Sequence, residues 1–299
     1  SRGDLDPDVV ALGAGHGGIL GKRDSAFKGR PGSQSIAYTR RALPRSPPMR
    51  PVVLLARSLI VWIALHAGLA GAQVIDARDT GNTLGVGVLW NTEPYKGVDS
   101  ELYAFPTITW RIGRLFVRET GLGFQIAGDE RWSVDAFAEW RFDGYEEDDS
   151  DFLDGMDDRD GTLDAGFAYV RRSETFGKFA FSVGADTLDR HGGYQADITW
   201  SKLTRFGLPA VRIAYYSSSL ADYYFGVEDA EAVPGRPAYS PGGSVIISPN
   251  YTFGAPLTDR WNWLVNVGAD FYPDDISDSP IMEDSYRAYV FVGASYRFP

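Results

Sequence analysis

Chemistry-bearing side chains are sparse in this sequence and fall into three groups. The first surrounds His191, with Asp186 and Asp189 close by and several serines in the vicinity. A Ser/His hydrolase needs a hydroxyl within hydrogen-bond reach of the imidazole that activates it. His191-Gly192-Gly193 reads instead as a turn between two strands, where a solvent-exposed histidine is unremarkable. The second group is Glu146-Glu147-Asp148-Asp149-Ser150-Asp151, continued by Asp154, Asp157, Asp158 and Asp160. Carboxylates are hard ligands suited to calcium, but a calcium loop sets them at fixed positions around a glycine. Around Gly155 those positions hold Ser150 and Phe152, and before Gly161 the first position is Met156. A solvated acidic loop is the expectation, with at most a diffuse role in bridging divalent cations to lipopolysaccharide. The third is Gly13-Ala14-Gly15-His16-Gly17-Gly18, which fits the dinucleotide pattern G-x-G-x-x-G. That pattern needs a βαβ unit and an acidic residue about 20 positions on, whereas this one runs into Arg/Pro/Ser sequence. No catalytic residue, cofactor or metal ligand is assigned.

The elements that would carry any site are strands. Near the C-terminus, Tyr286, Ala288, Val290, Val292, Ala294, Tyr296 and Phe298 share one face; Arg287, Tyr289, Phe291, Gly293, Ser295 and Arg297 share the other. The first face is apolar in the middle and aromatic at both ends. A tilted strand crossing a bilayer needs about 9–11 residues, more than the roughly 5–6 of an ordinary strand. Rings at both tips match the aromatic girdles found at lipid–water boundaries.

The same period of two recurs upstream. Leu84, Val86, Val88 and Trp90 face one way, then Leu102, Ala104, Pro106, Ile108 and Trp110. Trp132 to Trp140 alternates with Ser133, Asp135 and Glu139, and similar sets end on Trp200, Trp261 and Trp263. The apolar side would face lipid and the polar side, with Asp135, Glu139, Asp164, Asp197, Asn266 and Asp270, a lumen. An open sheet would leave backbone groups unpaired in hydrocarbon, so the strands must close on themselves. The sequence therefore predicts an all-β, antiparallel transmembrane β-barrel. Eleven segments are countable, but single-chain bacterial barrels have even numbers. The weak places are 114–126, where the apolar phase shifts, and the aromatic run 223–227 inside a long connection. Twelve strands are expected, with ten as the alternative, and either size gives a narrow lumen. The last strand should pair with the first near Leu84 and Trp90. Links 173–176, 204–207 and 255–259 are short, while 143–160, 217–241 and 273–285 are long. Short turns face the periplasm and long loops the exterior.

Composition agrees. The 299 residues hold no cysteine, which excludes disulfides and thiolate chemistry. Met49-Arg50, the apolar run to Leu69 and Ala70-Gly71-Ala72 have the order of a secretory signal peptide. The expected organisation is an upstream extension at 1–48, a signal peptide at 49–72 and a barrel at 73–299. The barrel portion carries 19 Lys/Arg against 36 Asp/Glu, a net charge of −17, the wrong sign for a nucleic-acid partner.

The loops resemble those of a known group, the MltA-interacting protein (MipA)/OmpV family of outer-membrane proteins. The resemblance is carried by Pro94-Tyr95-Lys96-Gly97, Asp143-Gly144-Tyr145, Leu153-Asp154-Gly155-Met156 and Asp158-Arg159. It continues through Asp186-Thr187-Leu188, Tyr223-Tyr224-Phe225-Gly226-Val227, Glu231-Ala232, Tyr239 and Asp278-Ser279-Pro280. The order and spacing hold across residues 81–298; Pro299 after the terminal aromatic Phe298 departs from the pattern. The resemblance implies a non-enzymatic protein in the outer membrane of a Gram-negative bacterium, in contact with outer-membrane lipids and lipopolysaccharide. It also implies a scaffolding role toward peptidoglycan-remodelling enzymes, a lytic transglycosylase and a murein synthase, on the periplasmic side. A barrel hydrolase acting on lipid or lipopolysaccharide, or a narrow solute pore, is the alternative.

Overall fold

A computed structural model describes residues 81–118 and 120–299. The extension at 1–48, with its glycine motif, and the signal peptide at 49–72 lie outside the described residues. Twelve antiparallel strands form one closed barrel, each paired with its neighbours in chain order. They are β1 (Thr83–Asn91), β2 (Glu101–Ile112), β3 (Leu115–Arg118), β4 (Gly121–Gly128), β5 (Trp132–Arg141) and β6 (Thr162–Ser173). The second half holds β7 (Gly177–Asp186), β8 (Tyr194–Ser201), β9 (Leu208–Tyr216), β10 (Ser244–Pro256), β11 (Trp261–Phe271) and β12 (Tyr286–Arg297). Closure runs through the expected seam, with Leu84 opposite Tyr296 and Trp90 opposite Val290.

The missing twelfth strand lies in the first weak place. Residues 114–126 are not one irregular strand but the hairpin β3–β4, with Arg118 opposite Gly121. The phase shift in the sequence is the turn between them: Leu115 points outward before it, Leu122 and Phe124 after it. The other weak place is not a strand. Tyr223, Tyr224 and Phe225 end helix α1 (Ser218–Phe225), and a short helix α2 (Asp274–Ser277) sits in the last long loop.

Polarity is inverted relative to a soluble domain. Leu84, Val86, Leu102, Phe167 and Val292 are exposed on the outer wall, whereas Asp135, Asp164, Asp197, Arg212 and Asn266 are buried in the lumen. Glycines on the lumen face make room for large rings. A Cβ on Gly87 would lie 2.1 Å from the Phe291 ring, and one on Gly123 the same distance from Phe116. Phe291 stacks on Phe105 at 5.3 Å, and with Leu89 and Tyr289 they fill the lumen beside the closing seam. Five short turns lie at the end where Thr83 meets Arg297; the long loops gather at the other.

The aromatic residues expected at the boundaries lie at strand ends. Toward the short-turn end Phe298 contacts Trp110 and Tyr296, each at 5.1 Å, and Tyr296 contacts Trp261 at 5.6 Å. Trp132 packs on Tyr169, Trp263 on Phe253, and the Trp200 indole donates to the Phe176 carbonyl. At the long-loop end stand Trp90, Tyr286 and Trp140, the last against Phe142 at 6.2 Å.

Candidate functional site

The long loops do not hang free. They fold over the barrel mouth into a cap with its own core, where Tyr95, Leu153, Met156, Tyr224, Phe225 and Val227 are buried together. Single residues far apart in sequence join the loops. The Tyr95 hydroxyl donates to the Tyr224 carbonyl at 3.3 Å, Lys96 Nζ to the Pro280 carbonyl at 2.7 Å, and Ser279 Oγ to the Phe225 carbonyl at 2.6 Å. Ser150 Oγ donates to the Lys96 carbonyl, and Tyr239 Oη to the Asp275 carbonyl. The segments Pro94, Gly97, Asp143, Gly144, Gly155, Arg159, Gly226 and Asp278 all belong to this assembly. Gly144 is obligatory there: its φ is +138°, and a Cβ would fall 1.8 Å from the Arg159 carbonyl oxygen.

The acidic loop is a correction in part. Its carboxylates at 146–149 and 151 project from a short 3₁₀ turn (Glu147–Asp149) and its flank, but Leu153 and Met156 are buried in the cap core. The Phe152 and Asp154 carbonyls accept from Arg236. Arg159 is fixed by a buried ion pair with Glu231 across loops. Burial alone would raise the Glu231 carboxyl; the Glu228 and Asp157 backbone N–H groups and the Arg159 guanidinium hold it below the usual range.

Beneath the cap lies a charged network. Asp143 bridges two guanidiniums, accepting from Arg141 Nη1 at 2.9 Å and Arg287 Nη1 at 3.4 Å. Burial would raise its carboxyl, and those two cations hold it below the usual range. Arg141 also donates to Asp164 through Nε and Nη2, at 2.8 and 2.6 Å, and to Gln195 at 2.9 Å. Arg287 Nη2 meets Asp270 at 3.0 Å, Ser248 Oγ meets the same carboxylate at 2.6 Å, and Arg212 faces Asp197 at 3.5 Å. Buried charges are tolerable only when paired and hydrogen-bonded in this way. The network lines a cavity of ≈ 140 Å³ below the cap. A second, of ≈ 300 Å³, lies between the tops of β1 and β2 and the 142–161 loop, beside Glu93 and Tyr103.

His191 is not exposed, contrary to expectation. Its side chain is fully buried, with Nε2 3.5 Å from Asp164 Oδ1 and the ring 5.9 Å from that of Tyr224. Nδ1 accepts from the Gly193 N–H at 3.0 Å, so in the neutral ring Nε2 carries the proton toward Asp164. Asp186 binds the backbone N–H groups of His191 and Gly192 rather than the ring. Among the described residues no hydroxyl hydrogen-bonds either ring nitrogen, and no cluster of three or more His, Asp or Glu is arranged for a metal.

The family described as MltA-interacting protein MipA matches residues 84–298. The chain belongs to that family. Among its relatives, the "MltA-interacting protein" of Escherichia coli strain K12 is 29% identical over 251 residues, covering 81% of this chain and 97% of that one. "Putative outer membrane protein YiaT" of the same strain is 29% identical over 225 residues, covering 72% and 90%. "Outer membrane protein OmpV" of Vibrio cholerae is 30% identical over 159 residues, covering 52% and 61%. With the closed barrel, the MipA family membership makes this an outer-membrane β-barrel protein.

Proposed function

We propose that the barrel is a non-enzymatic anchor that holds a peptidoglycan-remodelling enzyme at the inner face of the outer membrane. The observation that carries this reading is the short-turn rim. Phe176, Leu203 and Phe206 project from turns 174–176 and 202–207 and are 68%, 78% and 71% exposed. The two turns are tied together: Lys202 Nζ donates to the Thr175 carbonyl at 2.6 Å, and Thr204 Oγ1 closes its own turn on the Gly207 carbonyl at 2.7 Å. Arg205 lies over the Phe206 ring at 4.4 Å. Exposed apolar side chains clustered beside cations suit a protein-docking patch, and the short-turn rim of such barrels faces the periplasm. The E. coli relative that matches over nearly its whole length is named for an interaction with MltA. In this reading the ring belts, from Trp110 and Trp261 below to Trp90 and Tyr286 above, anchor the wall at the two lipid boundaries. The acidic outer loops meet lipopolysaccharide through divalent cations, and residues 49–72 serve as the export signal.

The test is capture from detergent-solubilised envelope with the tagged barrel. A lytic transglycosylase or murein synthase should be recovered, and the triple change Phe176→Ser, Leu203→Ser and Phe206→Ser should abolish recovery. Recovery unaffected by the triple change would remove the rim from the proposal; recovery of no murein enzyme would remove the anchor itself.

A further inference from the structure

The ≈ 300 Å³ cavity between β1, β2 and the 142–161 loop has a lining of its own kind. One wall is a cross-strand ladder at the long-loop end, with Asn91 of β1 opposite Glu101 of β2 and Leu89 opposite Tyr103. Side chains paired in this way project from one face, with Cβ atoms about 4.5–5.5 Å apart. Glu93 follows just past the end of β1, and the Asn91 side-chain amide donates to its carboxylate. The 142–161 loop supplies the facing wall, with Phe142, Gly144 and Tyr145.

The cleft collects acceptors that the protein itself leaves unused. Asn91 is 6% exposed, and its Oδ1 has no hydrogen-bond partner among the described residues. The buried Tyr103 hydroxyl has none there either. A polar atom withdrawn from water without a partner is costly, so two of them lining one cavity mark a place for a donor. Charge points the same way. The two cations of the lining are already engaged, Arg159 with Glu231 and Arg287 with Asp270 and Asp143. Glu93 and Glu101 belong to no ion pair among the described residues. No three Asp, Glu or His side chains there are arranged for a metal. The rest of the lining, including Leu89, Tyr95, Val98 and Phe142, is apolar or aromatic, a surface for a carbon skeleton and for the face of a cation.

We propose that this cleft binds a small organic cation through a primary ammonium group, which donates to Glu93, Glu101 and Asn91 Oδ1 while its apolar body lies against Leu89, Tyr103 and Phe142. An ammonium of this kind offers three N–H donors on one compact nitrogen, whereas a quaternary nitrogen offers none. A volume of ≈ 300 Å³ stands at the small end of ligand pockets, enough for one ring and a short chain. The group is carried both by free amines and by aminated lipid headgroups.

Glu93 makes the binding depend on pH. Its carboxyl is faced by Arg287 from β12, Glu101 from β2, the Asn91 amide from β1 and Asp143 from the 142–161 loop. Burial, opposed by Arg287, pushes it up to about 7. An alkylammonium stays charged well above that pH, so its affinity rises as Glu93 ionises.

The experiment measures binding of 2-phenylethylamine to the purified barrel in phosphatidylcholine nanodiscs by calorimetry, beside 2-phenylethanol and the N,N,N-trimethyl derivative of the amine. At pH 8 the amine should bind about tenfold more tightly than either analogue, and about tenfold more tightly than at pH 6. Glu101→Gln and Asn91→Leu should each lower affinity about tenfold, and Glu93→Gln should remove the pH dependence. Heat-dependent mobility on gels reports that each variant is folded. Phosphatidylethanolamine added to the nanodiscs separates the two carriers: weaker binding of the probe assigns the cleft to a lipid headgroup, unchanged binding to a free amine. Equal affinity for the amine and either analogue, a pH-independent affinity, or undiminished binding to folded Glu101→Gln and Asn91→Leu would overturn the proposal. Displacement of the amine by equimolar calcium would overturn it too, marking a metal site.

Discussion

Arg159 and Glu231 meet at 2.6 Å, Nη2 to Oε1, with both side chains only 4% exposed. The pair joins the 142–161 loop to the 217–243 loop at the heart of the cap. Glu231 also receives the Asp157 and Glu228 N–H groups, at 3.0 and 2.8 Å. Breaking a buried pair on one side leaves an uncompensated charge, at a cost of about 3–5 kcal/mol. Glu231→Ala is expected to release the cap while the barrel persists. Trypsin should then cleave at Arg159 in intact outer membranes, and the strands should stay protected.

Glu93 gives the cap a pH dependence. The residue is half-buried in the 92–100 loop, and desolvation, partly offset by Arg287, pushes its carboxyl from 4.5 up to about 7. A carboxyl raised on folding contributes stability that is complete below its unfolded value and is lost as pH rises through the folded one. The wild type should therefore lose thermal stability between pH 4.5 and 7 relative to Glu93→Gln and run parallel to it above. A constant difference across that range would contradict the assignment.

His191→Ala removes a ring packed against Tyr223 and Tyr224. By comparison with other buried large-to-small changes it should cost about 2–3 kcal/mol, read as a lower temperature for heat-modified gel mobility. Capture of the murein enzyme should be unaffected at temperatures where the variant stays folded. A hydrolase activity that vanished with folded His191→Ala would point to the enzyme reading instead.

The lumen beside the closing seam is blocked by stacked Phe105 and Phe291 with Leu89 and Tyr289. In planar bilayers the wild type should show no sizeable steady conductance. Phe105→Ala with Phe291→Ala should raise conductance severalfold, and a large stable channel in the wild type would show that this packing does not close the lumen.

The wall was legible in the sequence because lipid on one side and charge on the other leave a clean period of two. Leu84, Val86, Val88 and Trp90 needed no structure to be read as one face. The hairpin β3–β4 was not legible as two strands, because four residues on the rising side are too few to establish a period. The loop segments marked by the family resemblance were visible one by one, but their convergence was not. Tyr95 and Tyr224 are 129 positions apart, and no local pattern brings them together. His191 was misread for the same reason: its burial comes from α1 and from Asp164 on β6, neither of which adjoins it in sequence.

The short β3 has a mechanical consequence. β1 and β12 share nine register positions and β11 and β12 eleven, whereas β2 shares only four with β3. Under tension a sheet parts where the fewest backbone bonds share the load. Pulled across its wall, the barrel first tears at β3, and the join between the first and last strands outlasts it.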